Sequence, residues 1–339
     1  MPSPKRTNGH RPTGLLHLLD PSLKLAPHPK QKDLNFNLYD ALDAVVQLTA
    51  RISEDAFSAQ TLGQDREGNA ILISNDGLLV TIGYLVVDAY SISIRTHGGK
   101  PVPAELVGYS HETGIAIIHA LEKLPVKPIE LGKTDNLKEN SPVIIAPYGG
   151  ENHSISAKVA SRREFAGSWE YLIDDAIFTI PAHSKWSGAG AFNRLGQLIG
   201  IGSLYIQQVI PGEDQIDGNM IVPIDILKPI YDDLIKLGRP GKPPRPWLGM
   251  TTAEADDKLV VAGLSKRGPA MRAGVDLGDI IIGIAGEPVK SLPTMFRKIW
   301  ALGSAGVTVP LTLERDGQTM SISIDSSARQ EYLKKPSIN

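Results

Sequence analysis

A chain of 339 residues is long enough for two or three domains, and its 42% hydrophobic and 21% charged residues are ordinary for a soluble globular protein. A formal net charge of −2 gives no basic footprint for nucleic acid. The lack of cysteine excludes disulfides, thiolate metal ligands and thiol nucleophiles together, and leaves the redox compartment open.

Residues 1–35 read as a flexible, Pro-rich extension. Its apolar patch, Leu15–Leu19, is interrupted by His17 and ended by Asp20-Pro21, so it lacks the apolar core of a secretory signal. The expectation is a cytoplasmic protein, with a periplasmic one as the alternative. "LLHLL" has a second reading, a short docking helix. No segment reaches the roughly 18 uncharged apolar residues of a membrane span.

Over residues 36–237 the pattern changes to short Val- and Ile-rich runs, "AVVQLTARI", "AILIS", "GIAIIHAL", "SPVIIAPYGG" and "LIGIGSLYI" among them. Asn75-Asp76-Gly77 and Gly98-Gly99 are hairpin signals. Many short strands without helical periods predict β-barrels or a sandwich. The span is large for one barrel, and "LEKLPVKPIELGKTDNLKEN" reads as a connector, so two packed barrels are expected. In "PIDILKPIYDDLIKL", Ile224, Leu227, Ile230, Leu234 and Leu237 fall at spacings of three and four, which predicts an amphipathic helix stopped by Gly238.

"GRPGKPPRP", within 238–246, predicts a stiff linker. Residues 247–330 then alternate strands with two helices, "GPAMRAG" and "LPTMFRKIWAL", and end in a hairpin turning at Asp316-Gly317. That is a small α+β module, followed by a tail over 331–339. No phosphate loop, zinc pair or dinucleotide fingerprint is present, so neither cofactor nor metal is expected.

In this order the pieces resemble the HtrA/Deg family, a trypsin-like double β-barrel followed by a PDZ domain, over about residues 40 to 330. "EGNAILISNDGLLVTIGYLVVDA" resembles the family's histidine strand, with Tyr84 at the histidine position. "GYSHETGIAIIHA" resembles the aspartate strand, with Gly114 at the aspartate position. "SKWSGAGAFNRLGQLIGIG" resembles the serine strand and keeps Ser187 and Gly188, but has Lys185 at the first glycine. "WLGM" stands at the carboxylate-binding loop, so the resemblance implies peptide binding at Trp247, Leu248, Gly249 and Met250.

A serine hydroxyl needs a positioned base. A phenol with pKa near 10 is protonated at neutral pH and is a poor one. Gly114 offers no side chain to orient an imidazole. Losing such triad members costs about 10⁴ to 10⁶ in turnover. The oxyanion donors sit in a loop conformation that glycine tolerates and Lys185 would find costly.

The expectation is therefore a pseudoprotease, with Ser187 the remnant of a nucleophile, which binds peptides or protein C-termini in protein quality control. The alternative is an active serine endopeptidase with a displaced base. Lys185, His183, His97, His111, His119 and His153 are the candidates for that base. Trp186 is expected to cover the old cleft. "RREFAGSWEYLIDD", Arg162–Asp175, reads either as a partner surface or as a hairpin whose aromatics pack on the barrel. The groove at "WLGM" has a further reading as one filled by the chain's own linker or tail. The resemblance also implies a homo-oligomer, commonly a trimer.

Overall fold

The computed structural model describes residues 27–210 and 216–334. They form two compact units. The first holds the described residues up to Arg163, then Asp175–Pro240 and Lys334; the second holds Glu164–Asp174 and Gly241–Leu333.

The first unit is built from two closed β-barrels. After a short helix α1 (Leu38–Asp43), the first barrel contains β1 (Val45–Ile52), β2 (Asp65–Leu72), β3 (Leu78–Ile82), β4 (Ala89–Arg95), β5 (Pro101–Tyr109) and β6 (Ile115–Ala120), with a helical turn α2 (Ala59–Leu62) before β2. It closes in the order β1-β2-β3-β6-β5-β4. In β1 the alternation is plain: Leu48, Ala50 and Ile52 are buried, and Thr49 and Arg51 face out. The interior is filled by Leu48, Ile71, Leu79, Ile94, Ile115 and Ile117, and closure leaves no strand edge open.

The second barrel contains β7 (Pro142–Ala146), β8 (Ile155–Gly167), β9 (Tyr171–Ile180), β10 (Gly190–Phe192), β11 (Leu198–Ile206) and β12 (Gly218–Pro223). Its order is β10-β11-β12-β9-β8-β7, and Val143, Ile145, Ile155, Val159, Ile177 and Ile199 are among its core residues.

Two expectations for this unit change. The predicted helix over 223–237 is two 3-10 turns, Ile224–Ile226 and Lys228–Ile230, before a short helix α3 (Tyr231–Leu237). Pro229 has no N–H to give to a continuous helix. The expected apolar face is split accordingly: Ile224, Leu227 and Leu234 are buried, while Leu237 is 57% exposed. Gly238 does stop α3, in the left-handed conformation at φ 71°. The extension, expected to be flexible through residue 35, is held from Pro27 onward. Ser156 N donates to Pro27 O at 2.6 Å, His28 Nδ1 lies 2.7 Å from Ser154 O, and Gln31 bonds Phe36 O and Leu38 N. The "LLHLL" patch lies outside the described residues.

In the second unit, β13 (Met250–Ala255), β14 (Lys258–Leu264), β15 (Ile280–Ile284), β17 (Thr308–Arg315) and β18 (Gln318–Asp325) form a sheet in that order, with β16 (Glu287–Pro288) beside β15. Asp316 and Gly317 both have positive φ, as a two-residue hairpin turn of primed type requires. The helices are a single turn α4 (Pro269–Arg272) and α5 (Leu292–Ala301). Ser291 caps α5 by accepting from Thr294 N, and Leu292, Met295, Phe296 and Ile299 are its buried face. They share one core with Leu248, Met250, Leu259, Leu311 and Leu172.

Leu172 belongs to the tip of the β8–β9 hairpin. The sequence offered that stretch as a partner surface or as aromatics packed on the barrel. Instead its Glu164–Asp174 portion is part of the second unit. Its aromatics pack on one another, with the Trp169 and Tyr171 rings stacked at 5.8 Å.

Candidate active site and peptide groove

Ser187 lies in the turn between β9 and β10, 8% exposed. Tyr84 sits in the 3-10 turn Gly83–Leu85 that follows β3, and its hydroxyl is 2.7 Å from Ser187 Oγ. The same hydroxyl donates to the carbonyl of Ser203 at 2.8 Å. A phenol has one proton, and the carbonyl can only accept, so that proton goes to Ser203 O and the Ser187 hydroxyl donates to Tyr84. The two residues that the sequence singled out on separate strands are thus brought together. Burial pushes the Tyr84 phenol well above its ordinary value, more than its bond to Ser187 lowers it. It stays protonated and cannot take the serine proton.

Gly114 is adjacent through its backbone only: its carbonyl accepts from Gly83 N at 2.7 Å. Its φ of 74° is a left-handed conformation, native to glycine.

The histidines offered as displaced bases are engaged elsewhere. His183 is fully buried; its Nε2 is 2.7 Å from His153 O, and its Nδ1 accepts from Lys185 N at 2.9 Å. Because a carbonyl accepts only, the proton is on Nε2 and both ring nitrogens are used. Asn219 fixes the backbone here, its Oδ1 accepting from His183 N and its Nδ2 donating to His183 O. His119 bonds Asp76 O, His153 bonds Gly149 O, His111 bonds Tyr109, and His97 lies against the Tyr148 ring.

Lys185 was expected to strain the oxyanion loop. It does not, since it is outside the positive-φ residues. The loop avoids the strain by turning the Lys185 N–H onto the His183 ring, where it cannot serve a developing oxyanion.

The serine turn is clamped by Asn69, which the sequence did not single out. Asn69 N and Nδ2 both donate to Ser187 O, at 2.9 and 2.7 Å, and Nδ2 also lies 3.2 Å from Lys185 O. Tyr148 N in turn donates to Asn69 Oδ1 at 2.7 Å. Gly188, at φ 72°, passes so close to the Asn69 carbonyl that any Cβ would collide with it. Trp186 packs on Tyr205, ring centroids 5.5 Å apart.

A second unforeseen residue holds the tyrosine turn. Arg66 is 2% exposed, and its guanidinium donates to Tyr84 O at 2.7 Å, Val87 O at 3.0 Å and Ser58 Oγ at 2.8 Å. Burial lowers it to about 10, opposed by the charge of Asp88. Arg66→Ala leaves these three acceptors and Gly63 O, which accepts from Arg66 Nε at 3.2 Å, without that partner and should destabilise the chain by about 3 kcal/mol in urea unfolding.

In the second unit, the backbone N–H groups of Leu248, Gly249 and Met250 converge on one point. Gly249 supplies the turn, at φ 74°. Trp247 does not take part: its N–H and carbonyl form a bridge with Ser327, and its ring packs on Tyr332 at 4.7 Å. The convergence point holds a carboxylate. Glu170 Oε1 accepts from Gly249 N at 2.9 Å and Leu248 N at 3.2 Å, and lies 3.4 Å from Met250 N; its Oε2 is 3.1 Å from Leu248 N. The occupant is the β8–β9 hairpin rather than the linker or tail. Glu170 lies within Arg162–Asp175, and no local signal in the sequence marks its role.

Among the described residues, no group of three or more His, Asp or Glu side chains could hold a metal ion, and no helix is long and apolar enough to cross a membrane.

Comparison with known proteins agrees with this architecture. A model described as a trypsin-like peptidase domain matches residues 68–201, and one described as a PDZ domain matches 246–325. A "Probable periplasmic serine endoprotease DegP-like" from Pseudomonas fluorescens is 27% identical over 78% of this chain and 56% of its own length. One of the same name from Rhizobium meliloti is 25% identical over 80% of this chain and 55% of its length. The chain thus spans little more than half of these relatives. The solved structure "HtrA-type protease AlgW with decapeptide" shares the fold at a TM-score of 0.51 and 20% identity, covering 89% of this chain and 100% of that one. The two domain matches and these relatives together show a trypsin-like peptidase domain followed by a PDZ domain, homologous to the DegP/HtrA serine endoproteases.

Proposed function

We propose that this chain is a proteolytically silent HtrA-type protein that binds peptides or protein C-termini through its PDZ domain, in the manner of a quality-control factor. The observation that carries this reading is the chain of hydroxyls from Ser187 through Tyr84 to Ser203 O. The serine proton is directed to an oxygen that cannot keep it, and the Lys185 N–H is spent on His183. The periplasmic names of the relatives favour the periplasm over the cytoplasmic expectation. What supports binding is the trio of N–H groups at Leu248, Gly249 and Met250, which already hold a carboxylate.

The test is a fluorophosphonate probe on wild type and Ser187→Ala, with casein hydrolysis and an array of peptides bearing free C-termini. We expect neither labelling nor cleavage, and capture of some array peptides. Labelling of wild type but not of Ser187→Ala would establish an active serine instead.

A further inference from the structure

We infer that Ser168-Trp169-Glu170 is a built-in ligand of the PDZ groove, and that an incoming protein C-terminus binds by displacing it. The inference rests on the peptide-binding reading above for its partner, a free α-carboxylate, but its geometry stands independently. A C-terminal peptide added to a sheet edge makes two kinds of contact: main-chain bonds to the edge strand, and a carboxylate on converging N–H groups. Both are present. Thr252 N, on the edge strand β13, donates to Ser168 O at 2.9 Å. Two residues further on, the Glu170 side chain places its carboxylate on Leu248, Gly249 and Met250. An internal glutamate can thereby do with its side chain what a chain end does with its terminus.

The hairpin's own chemistry gives an independent sign. Strands β8 and β9 are joined by the three residues Ser168–Glu170, and such a loop closes through a left-handed residue, usually glycine. Here that residue is Glu170, at φ 62° and 6% exposed. A non-glycine residue in this conformation is disfavoured, and an outlier of this kind points to a role for the side chain. Leu172 in the shared core, Arg297 paired with Glu164 and Asp174, and Arg329 donating to Trp169 O at 3.0 Å complete the seat.

The experiment uses the full chain as wild type, Glu170→Ala and Glu170→Gln, with circular dichroism to confirm folding. The probe is a fluorescein-labelled pool of random hexapeptides with free C-termini, alongside the same pool amidated, read by fluorescence polarisation. Amide exchange at Leu248, Gly249 and Met250 is followed in parallel. Expected are at least tenfold tighter binding of the free-carboxylate pool by Glu170→Ala than by wild type, no gain for the amidated pool, and tenfold faster exchange at the three amides. Glu170→Gln, which keeps the shape, should fall between. Equal affinity in wild type and Glu170→Ala overturns the inference. If neither protein binds the pool, faster exchange in Glu170→Ala upholds the internal ligand while the peptide-capture reading falls, and unchanged exchange overturns the inference too.

Discussion

Restoring the two missing residue types, as Tyr84→His with Gly114→Asp, should leave peptide hydrolysis at least about 10²–10³ below an intact HtrA protease measured alongside. The two substitutions supply a base and an orienting acid, yet they act on a site whose electrostatic part is also changed. The Lys185 N–H donates to His183 Nδ1, and that ring is fixed from its other side by His153 O and through its backbone by Asn219. A developing oxyanion would meet one donor fewer, and loss of one such donor alone carries that cost. The new aspartate would also enter a backbone at φ 74°, where a side chain is disfavoured, although Asp tolerates it better than most. Hydrolysis by the double variant within tenfold of the intact protease would show that the loop turns back without further change, and that the proposed silence rests on Tyr84 and Gly114 alone.

How much of this could be read in the sequence depends on how far apart the interacting residues lie along the chain. The barrels and the PDZ module announce themselves through local signals: period-two strands, Asn75-Asp76-Gly77, and Asp316-Gly317. The positions of Ser187, Tyr84 and Gly114 follow from strand-length motifs carried by resemblance. Period counting fails where one residue breaks a pattern that its neighbours keep, as Pro229 does between Leu227 and Leu234. It is blind to the clamps. Asn69 and Ser187 are 118 residues apart, and Glu170 and Leu248 are 78 apart. No spacing rule connects them, because each bond depends on how whole elements pack. Nor does composition help with Glu170 and Arg66, since charged residues are seldom buried unless paired and default to the surface in any sequence reading.

The burial of Glu170 sets a pH dependence opposite to that of most paired carboxylates. Desolvation raises its carboxyl to about 7, outweighing the backbone N–H groups of Leu248, Gly249 and Met250 and the charge of Arg329, which pull the other way. A folded-state value above the unfolded one means that the folded chain holds the extra proton. Stability from this group is therefore complete below the ordinary carboxyl value of 4.5 and is lost as pH rises through about 7. The charges near the tip are Arg329 and Arg297, with Glu164 and Asp174 paired to the latter, and both arginines stay charged throughout. Relative to Glu170→Gln, which cannot titrate, wild type should lose about 3 kcal/mol of urea stability between pH 4.5 and 8, followed by tryptophan fluorescence. A difference that grew with pH instead would mean that the three N–H groups and Arg329 outweigh desolvation. Glu170 would then be held ionised, as a genuine chain terminus is, and the groove would grip its built-in ligand most firmly in alkaline solution.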